Sequence, residues 1–266
     1  MNSRFILSNF SKILNISNVC QVRNTSIFNR PKRFYKKVSV SKDIEDNNKF
    51  LVLLDGKKVK TLAQNTLKLP TELLAEAIAN EFDSQLETLN MTHMRLTGLA
   101  FTAMDNPFHQ TKESIVDNIM EFAETDTILY VSKEPEKLYK KEEELWLPVI
   151  DWANKKYNLN LEPTESLFDL PTISNESHEN LKKYFHSFNF WQLIGYHYSV
   201  ESVKSIMLPM ATTENYMTIE KAVEASRIEQ FYQSEVWGNV EWCHDLEEME
   251  LTCRLAAGTL FINLSK

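Results

Sequence analysis

The chain has 266 residues, 43% apolar and 25% charged, a composition that suits a soluble globular protein with a sizeable core. No apolar run reaches membrane-spanning length, and only five glycines occur, each isolated, which excludes Gly-rich dinucleotide loops, P-loops and the nucleophile elbow. The net charge of -8 divides unevenly: the first 42 residues hold nine Lys or Arg and no acid, leaving -17 from Asp43 onward, a field that argues against nucleic acid as a partner.

The basic segment is a targeting sequence by its pattern. On a helix, Ile6, Leu7, Phe10, Ile13 and Leu14 share one face, opposite Arg4, Ser8, Lys12 and Asn15. An amphipathic, basic, acid-free stretch of this kind reads as a mitochondrial transit peptide over residues 1–33 and is set aside from the fold. Three cysteines, Cys20, Cys243 and Cys253, form no even framework and fit a reducing compartment such as the matrix.

A small β-rich domain is expected over residues 34–90. RFYKKVSV reads as the first strand, and FLVLLDGKKVKTL as a hairpin turning at Asp55-Gly56. Leu67 and Leu69 suggest a further short strand before Pro70. The period then changes: Leu74, Ile78, Phe82, Leu86 and Leu89 form a helical stripe starting near Pro70-Thr71.

From residue 91 to 266 the patterns are helical, so the fold class is α+β, with a larger all-α carboxyl-terminal domain. Ile115, Ile119 and Phe122 mark one helix. Leu138, Leu145, Val149, Trp152 and Ala153 mark another, with an interruption expected at Pro148. Residues 158–177, polar with Pro163 and Pro171, read as a loop. Helices follow in LKKYFHSFNFWQLIGYHYSVESVKSIML and IEKAVEASRIEQFYQ.

The last segment, VWGNVEWCHDLEEMELTCRLAAGTLF, carries the densest chemistry. Trp242, Leu246, Met249, Cys253, Ala256 and Leu260 are spaced 4, 3, 4, 3 and 4, which predicts a buried helical stripe with Cys253 as a small core residue. Cys243 and Cys253 would stand about 15 Å apart along one helix and about 80° around it, so they cannot share a zinc ion. Glu241, Asp245 and Glu248 line one side of the same helix. They read either as a solvated flank or as the acidic rim of a partner-facing surface. The six histidines are scattered; no metal site, cofactor site or catalytic constellation emerges.

The order of several segments resembles the mitochondrial ATP synthase F(1) assembly factor 2 family. The pieces are RFYK with LLDGKKVKT, LPTELLAEAIANEFDSQ, MRLTGLAFTAMD, FAETDTILY, ELWLPVIDW, VKSIMLPMA, EKAVEASRIEQFYQSEVWGNVEWCHDLE and LAAGTLF. Phe82, Leu147 and Arg95 depart from the family's usual residues. The resemblance implies a small β-containing domain before a helical one, and no catalysis or cofactor. It implies a chaperone of the matrix that binds the unassembled alpha subunit of the F(1) sector, without membrane span and monomeric when free. Glu229 matches an acidic position that it associates with function, and Trp237, Gly238, Glu241 and Asp245 match its WG-x-x-E-x-x-x-D signature, which is either structural, with Gly238 separating two helices, or partner-binding. The competing reading is a matrix hydrolase or transferase with a dispersed active site, which predicts a deep pocket of convergent polar groups.

Overall fold

The structure is a computed structural model that describes residues 31–165, 170–238 and 243–266. Residues 1–30 of the expected address over 1–33, the candidate Glu241, and Trp242 of the expected stripe lie outside the described residues. The described residues form two compact units, one of 31–34 with 85–90 and one of those within 35–84 and 91–266. In the smaller unit Lys32 bridges Thr88 in antiparallel fashion. There the Arg33 N–H donates to the Glu87 carbonyl at 2.9 Å and the Leu89 N–H to Pro31 at 2.8 Å.

The larger unit opens with an antiparallel sheet of β1 (Val38–Lys42), β2 (Phe50–Leu54) and β3 (Lys57–Lys58), in the order β1-β2-β3. Val40 pairs with Val52. The hairpin turns at Asp55-Gly56, where both residues have positive φ (49° and 79°); the DG pair supplies that geometry at low cost. Leu69 exchanges backbone hydrogen bonds with Phe50, at 3.0 and 2.8 Å, and so extends the sheet where the pattern predicts a short strand.

Helix α1 (Glu72–Asp83) starts at Thr71, whose hydroxyl accepts from the Leu74 N–H, and buries Leu74, Ile78 and Phe82. It stops earlier than the stripe predicts. Ser84 caps it, the Gln85 side chain takes the Asn90 N–H, and Leu86 stands 84% exposed. The Glu81 carboxylate of α1 receives the Leu96 and Thr97 N–H groups, satisfying the start of α2 (Arg95–Asp105), where the N-cap side chain makes no bond.

The remaining helices are α3 (Lys112–Met120), α4 (Glu136–Tyr157), α5 (Asn175–His186), α6 (Phe190–Val203), α7 (Met207–Thr213), α8 (Ile219–Ser226), α9 (Ile228–Trp237) and α10 (Cys243–Leu264). Side-chain caps at Thr111, Ser174, Asn189 and Thr218 mark four of their starts. The helical stretch expected over residues 181–208 is divided among α5, α6 and α7. Pro148 does not interrupt α4. Trp146, two residues before it, is buried and donates Nε1–H to the Ala225 carbonyl at 2.8 Å, and the Tyr216 hydroxyl bonds the Pro148 carbonyl. Tertiary packing here outweighs the few kcal/mol that an interior proline costs, about 3 kcal/mol.

The core of the helical part is α6 against α10. Leu193, Tyr196, Val200 and Val203 of α6 are buried, as are Leu255, Phe261 and Ile262 of α10, each contributing about 1.5–3 kcal/mol by leaving water. The buried Asp126 carboxylate takes N–H groups from Ile128, Ile206 and Met207 and so holds the loop before α4 to the start of α7. No helix among the described residues is long and apolar enough to cross a membrane.

Candidate functional site

Helix α10 has two apolar faces, and the one predicted to be buried is the outer one. Leu246 is 60% exposed, Met249 65% and Leu260 46%, and Cys253 is exposed too. The expectation that this stripe, with Cys253, forms core is therefore corrected. The buried face runs instead through Leu255, Gly258, Phe261, Ile262 and Ser265, roughly opposite at 100° per residue. The reason lies at Gly258: only a residue without Cβ lets α10 approach α6 this closely, so the glycine face turns inward and the bulkier stripe is left outside.

The sequence-predicted residues are distributed around this corner of the molecule. Trp237 ends α9 and is 78% exposed. Gly238 follows with φ +90° and donates its N–H to the Ser234 carbonyl, a conformation that suits glycine and closes the helix. Asp245 is exposed in the first turn of α10. Glu229 is exposed in the first turn of α9, where its charge acts on the buried Glu142 of α4. Glu142 accepts the Ser132 N–H at 2.8 Å through one oxygen, while the other has no partner. Burial first, and then the Glu229 charge, push its carboxyl above the ordinary range.

A groove of about 850 Å³ lies between α4, α8, α9 and the start of α10. Its apolar lining is Leu145, Ile228 and Phe231. Asp245 lines it, whereas Glu229, Trp237 and Gly238 do not: on α9 the lining positions are 228, 230, 231, 234 and 235, and Glu229 falls roughly opposite the middle of that face. The structure thus brings Asp245 together with residues that the sequence reading did not single out, Glu144, Glu224 and Phe231. Glu220 and Glu224 are recognisable as a one-turn pair on α8. Their convergence with Glu144, far away in the chain, has no local signal.

Charge pairing shapes this groove. Glu235 receives Lys137 at 2.6 Å and Lys141 at 2.9 Å, and these two cations hold its carboxyl down to about 2. Arg227, almost wholly buried, reaches Glu247 at 3.4 Å and Glu248 at 3.5 Å and lies over the Phe231 ring. No cluster of His, Cys, Asp and Glu among the described residues could hold a metal ion. The groove is lined by charge and apolar surface in a form suited to association.

Comparison with known proteins adds identity to this geometry. The ATP12 chaperone protein family matches residues 32–154. Protein atp12, mitochondrial, of Schizosaccharomyces pombe is 30% identical over 241 residues, covering 86% of this chain and 81% of the relative. Protein ATP12, mitochondrial, of Saccharomyces cerevisiae is 24% identical over 264 residues, with 82% and 80% covered. The crystal structure of Atp12 from Paracoccus denitrificans superposes with a TM-score of 0.80 at 26% identity, covering 89% of this chain and 99% of that one. The Atu1473 protein of Agrobacterium tumefaciens gives 0.80 at 26% identity, covering 89% and 87%.

Proposed function

The chain belongs to the ATP12 chaperone family, and from that premise we propose that it binds the unassembled alpha subunit of the mitochondrial ATP synthase F(1) sector, prevents its aggregation and promotes its assembly with beta. The family is one of chaperones rather than enzymes, which disfavours a matrix hydrolase or transferase. The mitochondrial location agrees with the names of both fungal relatives. In this reading the protein acts in the matrix, after loss of residues 1–33, as a monomer when free.

One observation carries the reading: the outer face of α10 presents Leu246, Met249 and Leu260 to solvent, and Trp237 of α9 is exposed as well. An unassembled subunit exposes an apolar surface that would otherwise aggregate, and a binder of that state suppresses aggregation by mass action. Acidic residues border the row, with Asp245 and Glu248 exposed on α10. A mixed surface of this kind permits release when a permanent partner arrives.

The test is light scattering of isolated alpha subunit diluted from denaturant, with beta subunit as the control client. The wild-type protein suppresses aggregation of alpha and not of beta. A Leu246→Ser, Met249→Ser variant keeps its thermal stability, because both side chains are exposed, and loses most of the suppression. No suppression by the folded wild-type protein would remove the alpha subunit as client.

A further inference from the structure

The groove between α4, α8, α9 and α10 has a sign. Six carboxylates line it: Glu144, Glu220, Glu224, Glu235, Asp245 and Glu248. Against them stand Lys141, Lys221 and Arg227, a formal net charge of -3. Two of these cations are engaged inside the protein, Lys141 by Glu235 and Arg227 by Glu247 and Glu248. Glu144, Glu220, Glu224 and Asp245 are exposed, and among the described residues none of the four forms an ion pair within the chain.

We propose that this groove docks a cationic amphipathic segment of the client, one carrying Lys or Arg beside apolar side chains; this rests on the chaperone reading above and names the chemistry of what is bound. Leu145, Ile228 and Phe231 supply the apolar lining against which such a segment excludes water. The carboxylates contributed by α4, α8 and α10 receive its charges. An anionic ligand such as a nucleotide meets repulsion from most of the lining. A compact divalent ion finds no gathered ligand set among the described residues. Exposed pairs of this kind are weak singly and screened within about 8 Å at physiological salt, so the segment is steered in quickly and held reversibly.

The probe is a fluorescein-labelled amphipathic peptide of Leu and Lys, with a Leu and Glu counterpart, titrated against the full chain by fluorescence anisotropy. The Leu/Lys peptide binds, more tightly at low salt, and the Leu/Glu peptide does not. The double variant Glu144→Lys, Glu224→Lys weakens binding at least about tenfold. A second double variant, Glu121→Lys, Glu124→Lys, changes net charge equally at exposed positions outside the groove and stays within about twofold of wild type. Equal loss in both variants, or no binding of the Leu/Lys peptide, overturns the proposal.

Isolated alpha subunit separates this inference from the chaperone reading. If wild type and the groove variant bind it equally, the groove proposal falls while the reading stands. If neither binds it and the Leu/Lys peptide still depends on Glu144 and Glu224, the ligand chemistry is supported and alpha is removed as its source.

Discussion

Gly195 of α6 and Gly258 of α10 come together where the two helices pack, and a side chain on either would meet atoms of the other helix. A Cβ on Gly258 would meet Ser199 Oγ at 2.0 Å and the Gly195 carbonyl oxygen at 3.2 Å. A Cβ on Gly195 would meet Ile262 at 2.7 Å and the Gly258 carbonyl oxygen at 3.2 Å. This contact sets which face of α10 is buried, and so which is left for a partner.

Gly258→Ala therefore destabilises the protein, by about 1–3 kcal/mol of overpacking, despite the roughly 1 kcal/mol that Ala gains in a helix. Ser199 Oγ is bonded to the Gly195 carbonyl at 2.8 Å and cannot swing away without losing that bond. Adding Ser199→Ala removes the nearest clash and restores part of the loss. Urea denaturation of the single and double variants measures both effects; additive losses would mean that the crossing is looser than described.

Glu229→Lys is expected to leave the fold intact or slightly firmer. Glu229 raises the energy of the buried Glu142 carboxylate, so reversing its charge favours the ionised form of Glu142. A melting temperature equal to or above wild type, with loss of alpha-subunit protection, would identify Glu229 as a surface residue of function. A fall of many degrees would make its role structural.

Glu142→Gln gains on the wild type as pH rises, because Gln keeps an acceptor for the Ser132 N–H and cannot ionise where it is buried. The folded-state carboxyl of Glu142 lies above its ordinary value, so its contribution to stability is fully present at low pH and is lost as pH rises through the folded value. The advantage of Gln accordingly shrinks on acidification. Thermal melts of both proteins across pH 4 to 8 check the sign.

Asp126 gives a second, larger pH effect. Burial pushes its carboxyl up to about 6 from 3.8, so stability from this group is complete below about pH 4 and is lost as pH rises through about 6. Asp126→Asn removes that slope. It also destabilises at each pH, by about 1–3 kcal/mol, since an amide offers one acceptor oxygen where the carboxylate offers two to the N–H groups of Ile128, Ile206 and Met207. Denaturation at pH 4, 6 and 8 separates the two effects.

Glu235→Ala tests how α9 is held. Ile228 is the buried residue of α9, and the Lys137 and Lys141 pairs tie the helix to α4. Exposed pairs contribute little because solvent and salt screen them, so global stability changes little. Amide exchange over 228–237 accelerates severalfold; unchanged exchange would show that packing alone holds the helix.

Local chemistry was enough to place much of the fold from residues alone. The DG turn of the first hairpin, the Thr71 start of α1 and the break at Gly238 depend on neighbours in the chain, and each stands where the local signal puts it. Pro148 misled because a buried Trp146 and the Tyr216 hydroxyl, distant in sequence, stabilise the helix around it. Asp245 was recognised as part of an acidic flank. Glu144 and Glu224 were not, since an acid on a helix surface looks the same whether it faces open water or a groove.

The sequence by itself determined that α10 is a helix carrying a stripe of large apolar residues with an acidic edge. Helical period is a local property and survives without knowledge of neighbours. Which face enters the core was decided only by the tertiary structure. A stripe of large apolar residues and one centred on glycine compete for the same site, and the close approach of α6 admits only the second. Leu246 and Met249 are outside because Gly258 is inside, and that exclusion creates the surface on which the proposed function rests.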